Sequence, residues 1–299
     1  MHVPSWPVAR PVSGVTPANP VRPGTLYVVA TPIGNLGDLS PRARDVLAAV
    51  DLVAAEDTRH AGQLLTSLGV TKPLVSLHEH NEEVRVEGIV AALAAGRAVA
   101  LVSDAGTPLI SDPGYRLLAA VRAANLAVSP VPGPCAAIAL LSVAGLPTDH
   151  FRFEGFLPAR REARRERLAA LARVPATLVF HESVHRIGEW LDDACDLFGA
   201  DRAAAVGREL TKLHETVYRG SLGELREAVT ADPVRMRGEY TIAVAGAPDE
   251  VAGDADLARV VGILAAELPA AQAAGLAARL TGRPRRDAYA LAIRARGSD

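Results

Sequence analysis

Between Gly24 and Gly145 five short apolar runs alternate with longer segments whose apolar residues recur at helical spacing. The runs are Leu26 to Ala30, Leu52 to Ala55, Leu74 to Leu77, Ala98 to Val102 and Leu126 to Val131. Such alternation constrains the fold strongly: the strands lie parallel in one doubly wound sheet and the intervening helices cover its faces. The punctuation agrees. Ser40-Pro41 reads as an N-cap followed by Pro at the first helical position, and Gly69 and Gly96 stand where helices should stop. The segment after Asn81 places Val86, Ile89, Val90 and Leu93 on one helical face, with Glu82, Glu83 and Arg85 in its first turn.

Three of these strands run straight into loops rich in turn formers. Thr31 to Asp38 follows the first, Val102 to Gly114 the fourth, and Val131 to Cys135 the fifth. In an open α/β sheet the carboxyl edge is where ligands bind, because loops diverge there and helix N-termini point into the crevice. Glu56 and Asp57 close the second strand at the same edge, either as a cap with Arg59 or as contacts in a pocket.

After Leu146-Pro147 the texture changes to an aromatic strand, Phe151 to Phe156, and an arginine-rich stretch from Arg160 to Arg173. Strands are expected at Thr177 to His181, Ala203 to Val206, Thr216 to Tyr218 and Tyr240 to Ala245, with helices at Val184 to Phe198 and Leu222 to Thr230. Only part of this has a βαβ rhythm, so the second sheet should be mixed. Residues 1–23, with six prolines, read as a disordered tail. Residues 24–147 and 148–246 read as two α/β domains, 247–256 as a linker, and 257–299 as a helical appendage resembling a helix-turn-helix.

A formal net charge of −2 excludes a globally basic nucleic-acid binder but leaves local patches open. With Cys135 and Cys195 alone no framework of disulfides is possible, and no run of about 18 apolar residues is available for a membrane span. A cytoplasmic protein is expected. There is no Gly-x-Gly-x-x-Gly and no Gly-Lys dipeptide, so the dinucleotide and Walker fingerprints are absent. His181-Glu-Ser-Val-His185 imitates a zinc-protease string, but a shared metal needs both imidazoles one turn apart on a helix. Here Ala176 to Phe180 is a strand and Ser183 a natural N-cap, so the two histidines fall on different elements. His78-Glu-His80 reads as a polar loop, and no metal is expected.

Taken in order, Thr31-Pro-Ile-Gly-Asn, Ala55-Glu-Asp-Thr-Arg59, Ser103-Asp-Ala-Gly-Thr-Pro108, Ser111-Asp-Pro-Gly114, Pro132-Gly-Pro-Cys-Ala136, Glu154-Gly-Phe-Leu-Pro158 and Arg208-Glu-Leu-Thr-Lys212 resemble one family. It is that of the ribosomal RNA 2′-O-methyltransferases that modify a cytidine of 16S rRNA, within the tetrapyrrole methylase superfamily. The similarity runs from about Gly24 to Gly246 and extends to the helical appendage. One departure is His181, where the family typically has Tyr before Glu-Ser.

The resemblance implies two α/β domains with S-adenosyl-L-methionine in the cleft between them, a homodimer, and the small ribosomal subunit as partner. It places Pro32 and Gly34 in the first cofactor loop, Ser103, Asp104, Ala105, Gly106, Thr107 and Ile110 in the second, and Pro134, Cys135 and Ala136 in the third. His181 and Glu182 are similar to the second-domain contacts. A ribose hydroxyl must lose its proton as it attacks, which calls for a general base. Glu182, Glu209 and Lys212 are the candidates, the lysine only if burial frees its amine. Arg160, Arg161, Arg164, Arg165 and Arg167 are candidates for RNA phosphates, or else form a solvated helix face. Two rival readings remain: a tetrapyrrole C-methyltransferase using the same cleft, and a non-catalytic RNA-binding assembly factor.

Overall fold

A computed structural model describes residues 20–78, 82–231, 238–248 and 254–296. These form two compact units, one made of the chain through Ala169 with Thr177–Val244, the other of Ala170–Ala176 with the chain from Ala245 onward.

The first unit contains both α/β domains. Strands β1 (Thr25–Val29), β2 (Leu52–Ala55), β3 (Leu74–Ser76), β4 (Val99–Val102) and β5 (Ala127–Val131) form an all-parallel sheet in the order β3-β2-β4-β1-β5. Helices α1 (Pro41–Ala49), α2 (Thr58–Ser67), α3 (Glu82–Ala94) and α4 (Tyr115–Ala123) connect them. One apolar cluster gathers Val46, Leu47 and Leu65 against Val29 and Val53, and another gathers Ile89, Leu93, Leu117 and Val121 against Leu26 and Leu101. The sheet is thus buried on both faces, as the near-continuous apolar strands require. Ser40 caps α1 by accepting from the Ala43 N–H, worth about 1 kcal/mol. Gly114, the N-cap of α4, has no side chain to offer; instead the buried Glu82 carboxylate accepts from the Arg116 and Leu117 N–H groups. The first-turn acid of α3 therefore caps its neighbour.

Helix α5 (Ala136–Ala144) leads to the second sheet, formed by β6 (Phe151–Phe156), β7 (Thr177–Ser183), β8 (Ala203–Arg208), β9 (Thr216–Ser221) and β10 (Glu239–Val244). Its order is β6-β7-β10-β8-β9, with β6 and β7 parallel and the other pairs antiparallel, so it is mixed as expected. Helices α6 (Arg161–Leu171), α7 (Ile187–Phe198) and α8 (Leu222–Ala231) accompany it. Leu140 and Leu141 of α5 pack with Val179, Ala205 and Ala243 of this sheet and with Ile33 of the first loop. That apolar contact joins the two domains.

Three expectations change. Strand β7 runs through Ser183 and α7 starts only at Ile187, so Ser183 is not an N-cap and His185 sits in the turn; the two histidines still do not share a helix. Val21 already packs on the first core, and the Arg22 N–H donates to the Tyr27 hydroxyl, so the domain begins before Gly24. Arg164 is fully buried. The tail assignment for residues 1–19, and His80, lie outside the described residues.

In the second unit, α9 (Asp254–Glu267), α10 (Ala270–Thr281) and α11 (Arg285–Arg296) close around Leu257, Val261, Ala274, Ala277, Ala288 and Ala292. Small residues at the contacts let these helices approach closely. None of the described helices is long and apolar enough to cross a membrane.

Candidate active site

The three turn-rich loops are laced together at the carboxyl edge of the parallel sheet. The Thr31 N–H donates to the Gly106 carbonyl at 2.8 Å and the Gly106 N–H returns a bond to the Thr31 carbonyl at 3.1 Å. The Thr107 hydroxyl donates to the Pro134 carbonyl at 2.9 Å. Close backbone approach dictates the glycines. A Cβ on Gly133 would lie 2.9 Å from that of Ala30, and Gly106, at φ +81°, faces Ile33 and the Pro134 carbonyl.

Above these loops a cavity of about 480 Å³ opens between the two sheets, a size suited to a cofactor. Of the residues expected at the site, Asp104, Ala105, Gly106, Thr107, Ile110, Cys135, Ala136, His181, Glu182, Glu209 and Lys212 all line it. Pro32, Gly34, Ser103 and Pro134 are not among its lining residues. Pro134 offers its carbonyl to Thr107, and Gly34 leaves room for the Lys212 side chain, which a Cβ there would strike.

Two carboxylates on the wall were missed or left ambiguous by the sequence. Asp57 caps α2 through the Arg59 N–H and pairs with its guanidinium, a hydrogen bond that holds its carboxyl well below the usual range. Glu56, its neighbour, lines the cavity. Asp112 lies there too, in the Ser-Asp-Pro-Gly motif but beyond Ile110, where the expected contacts ended. Its Oδ2 is buried without a hydrogen-bond partner. Burial pushes the Asp112 pKa up to about 6; the Ser103 hydrogen bond opposes this, while the Glu56 and Asp104 charges add to it. Three carboxylates facing one another repel, and a positive ligand among them relieves that repulsion.

Across the cavity, burial raises the Glu182 carboxyl pKa, partly offset by the Ser183 N–H and the Arg186 charge, and Glu182 pairs with Arg186 at 3.1 Å. Burial lowers the His181 pKa, which keeps the ring neutral at pH 7, with Nδ1 3.2 Å from the Thr241 hydroxyl. Lys212 is corrected as a base. Burial alone would lower its pKa, but the Glu209 hydrogen bond at 2.8 Å and the Glu239 charge outweigh it, so the ammonium is held protonated. The Glu209 carboxylate also accepts from the Glu239 N–H.

Most arginines of this segment are paired with carboxylates, and Arg164 is buried. Arg164 donates to Asp193 at 2.9 Å and to Glu189 at 3.0 Å, so it cannot reach a phosphate. Arg161 and Arg165 also bond Asp193, Arg165 reaches Asp196, and Arg167 pairs with Glu154. Arg160, Arg161 and Arg167 keep exposed positions. Among the described residues one group has ligand atoms near enough to share a cation: Asp57, His60 and Asp104. Asp57 is already committed to Arg59 there.

A cationic sulfonium nucleoside fits this arrangement. The unpartnered Asp112 oxygen and the Glu56 and Asp104 carboxylates match the charge, while Ile33 and Ala136 supply apolar wall.

Comparison with known proteins identifies the family. Residues 25–226 match the family described as Tetrapyrrole (Corrin/Porphyrin) Methylases, and residues 251–296 match the RsmI C-terminal HTH domain. The protein "Ribosomal RNA small subunit methyltransferase I" of Xylella fastidiosa (strain Temecula1 / ATCC 700964) is 53% identical over 268 residues, covering 89% of this chain and 98% of that one. The protein of the same name from Escherichia coli O157:H7 is 48% identical over 275 residues, covering 92% and 96%. A crystal structure of uroporphyrin-III-C-methyltransferase from Thermus thermophilus superposes with a TM-score of 0.54 at 23% identity, over 74% of this chain and 94% of that one, and shares the fold. The chain therefore belongs to the tetrapyrrole methylase family, among the ribosomal RNA small subunit methyltransferase I proteins, and is a methyltransferase.

Proposed function

We propose that the protein transfers a methyl group from S-adenosylmethionine to the 2′-hydroxyl of a cytidine ribose in 16S rRNA, acting in the cytoplasm as a homodimer on the small ribosomal subunit. The observation that carries this reading is the carboxylate-lined cavity at the laced loops. Its charge suits a sulfonium, in a chain about half identical to proteins named for small-subunit rRNA methylation. Bound there, the cofactor supplies an electrophilic methyl carbon. Asp112 and Asp104, on the cavity wall, would hold its positive centre, and backbone groups of Ala105, Gly106 and Ala136 would meet its adenosine.

Of the candidate bases Glu182 keeps the role. It lines the cavity, and burial moves its pKa toward neutrality, where a base accepts a proton from a hydroxyl most effectively. Glu209 instead orients Lys212, whose fixed ammonium faces the polyanionic substrate. Arg160, Arg161 and Arg167 contribute phosphate contacts. The test is mass-spectrometric mapping of ribose methylation in 16S rRNA from cells with and without the protein. Loss and restoration of one 2′-O-methylcytidine is the expected result; an unchanged ribose pattern contradicts the reading.

A further inference from the structure

Along β6 and β7, Phe153 pairs with Val179 and Phe156 pairs with His181. Residues three apart on one strand thus oppose residues two apart on the other, because a β-bulge interrupts the register between Phe153 and Gly155. In a regular strand Phe153 and Phe156 would point to opposite faces. The bulge brings both rings to His181, with centroids at 5.2 Å and 5.6 Å. It needs glycine: Gly155 has φ +64°, and a Cβ there would meet the Ser111 hydroxyl oxygen at 2.8 Å.

The result is an unusual exposure. Phe156 lines the cavity yet keeps 58% of its surface open, while the next residue, Leu157, is buried. The backbone that follows it is anchored. Arg186 donates to the Leu157 carbonyl at 2.9 Å and the Pro158 carbonyl at 3.0 Å, and is itself held by Glu182. An open aromatic face at the mouth of a cavity, on a strand anchored just beyond it, suits stacking, and its row continues inward through neutral His181 to Thr241.

We propose that the Phe156 ring, backed by His181, stacks on the nucleobase of the nucleotide that is methylated, holding it out of the RNA so that its ribose enters the cavity. This rests on the proposed RNA substrate. Proteins that engage individual RNA bases use aromatic faces in this way, because every base has a π-face while phosphate contacts give no such hold.

The test compares the parent with Phe156→Ala, Phe156→Leu and Phe156→Trp. It measures methyl transfer from labelled S-adenosylmethionine to small ribosomal subunits prepared from cells lacking the modification. Ala and Leu should lower kcat/KM for the subunit by about 5- to 150-fold, the span of one base stack. Trp should stay within a few-fold of the parent, and calorimetric cofactor affinity should be unchanged in all three. Leu keeps the apolar bulk without the ring, so activity of Phe156→Leu equal to the parent overturns the proposal. So does a loss of cofactor binding that accounts for the whole defect. A variant whose only change is dissociation of a dimer assigns Phe156 to a protein contact and likewise overturns it. If the parent itself methylates no ribose, the RNA reading fails and the stacking role falls with it; a parent that is active beside an unaffected Phe156→Ala rejects the stacking role alone.

Discussion

Asp112→Asn separates the cost of the cavity's charge from its use. The Asp112 pKa is raised from 3.8 to about 6, so the folded protein binds that proton more tightly than the unfolded chain does. For a carboxyl shifted in this sense, the ionised form penalises the folded state above pH 6, and the penalty fades as pH falls through 6 toward 4. Two units correspond to about 3 kcal/mol. Solvent screening at this partly exposed side chain reduces that to roughly 1–2 kcal/mol. Asn keeps the shape and the Ser103 contact without the charge. The variant should therefore be more stable than the parent by roughly 1–2 kcal/mol at pH 7.5, an advantage that disappears near pH 4 in thermal or urea unfolding. Cofactor binding should move the other way. A carboxylate near a sulfonium is worth on the order of 2–3 kcal/mol, so calorimetry should show affinity weakened roughly 30- to 150-fold. A variant that is destabilised equally at both pH values and binds S-adenosylmethionine as the parent does would refute the reasoning.

Arg164→Ala leaves the buried Asp193 Oδ2 without its partner while Arg161 and Arg165 still bond Oδ1, and should cost about 1–3 kcal/mol of stability, read by urea unfolding. Joint replacement of Arg160, Arg161 and Arg167 by Ala should instead leave the fold intact and flatten the salt dependence of RNA binding, by about 0.7–0.9 in slope for each phosphate no longer neutralised. An unchanged slope would make those arginines mere surface. Glu182→Gln should abolish the acidic limb of the kcat profile while sparing cofactor affinity; a profile identical to the parent's removes Glu182 as the base. Activity should survive a chelator, and zinc or magnesium dependence would reopen the Asp57, His60 and Asp104 group.

The parallel sheet and its binding edge were legible because local signals agree: apolar strands stop abruptly at Thr31, Ser103 and Pro132, where glycine and proline allow only turns. Glu56 and Asp57 show where legibility ends. Adjacent in sequence, they divide into a cavity wall and a helix cap only because α2 begins at Thr58. Lys212 is held protonated first by Glu209, three residues before it, and then by Glu239, which the pairing of β10 with β8 brings beside it and no local pattern encodes. Within the arginine segment the place of Arg164 was hidden for a similar reason. Arg164 meets Asp193 from another helix, so a run that looks solvated is partly a core ion pair. The bulge at Gly155 is invisible to strand alternation, and with it the placement of Phe156.

The chemistry of the product tests the central claim most directly. Small ribosomal subunits lacking the modification are incubated with the purified protein and methyl-labelled S-adenosylmethionine, and the 16S rRNA is then hydrolysed in alkali. Alkaline cleavage needs a free 2′-hydroxyl, so a methylated ribose protects the adjacent phosphodiester. The account predicts that the label is recovered in one alkali-resistant dinucleotide with cytidine on its 5′ side. Label released as a mononucleotide methylated on its base, or no label in RNA at all, would contradict it.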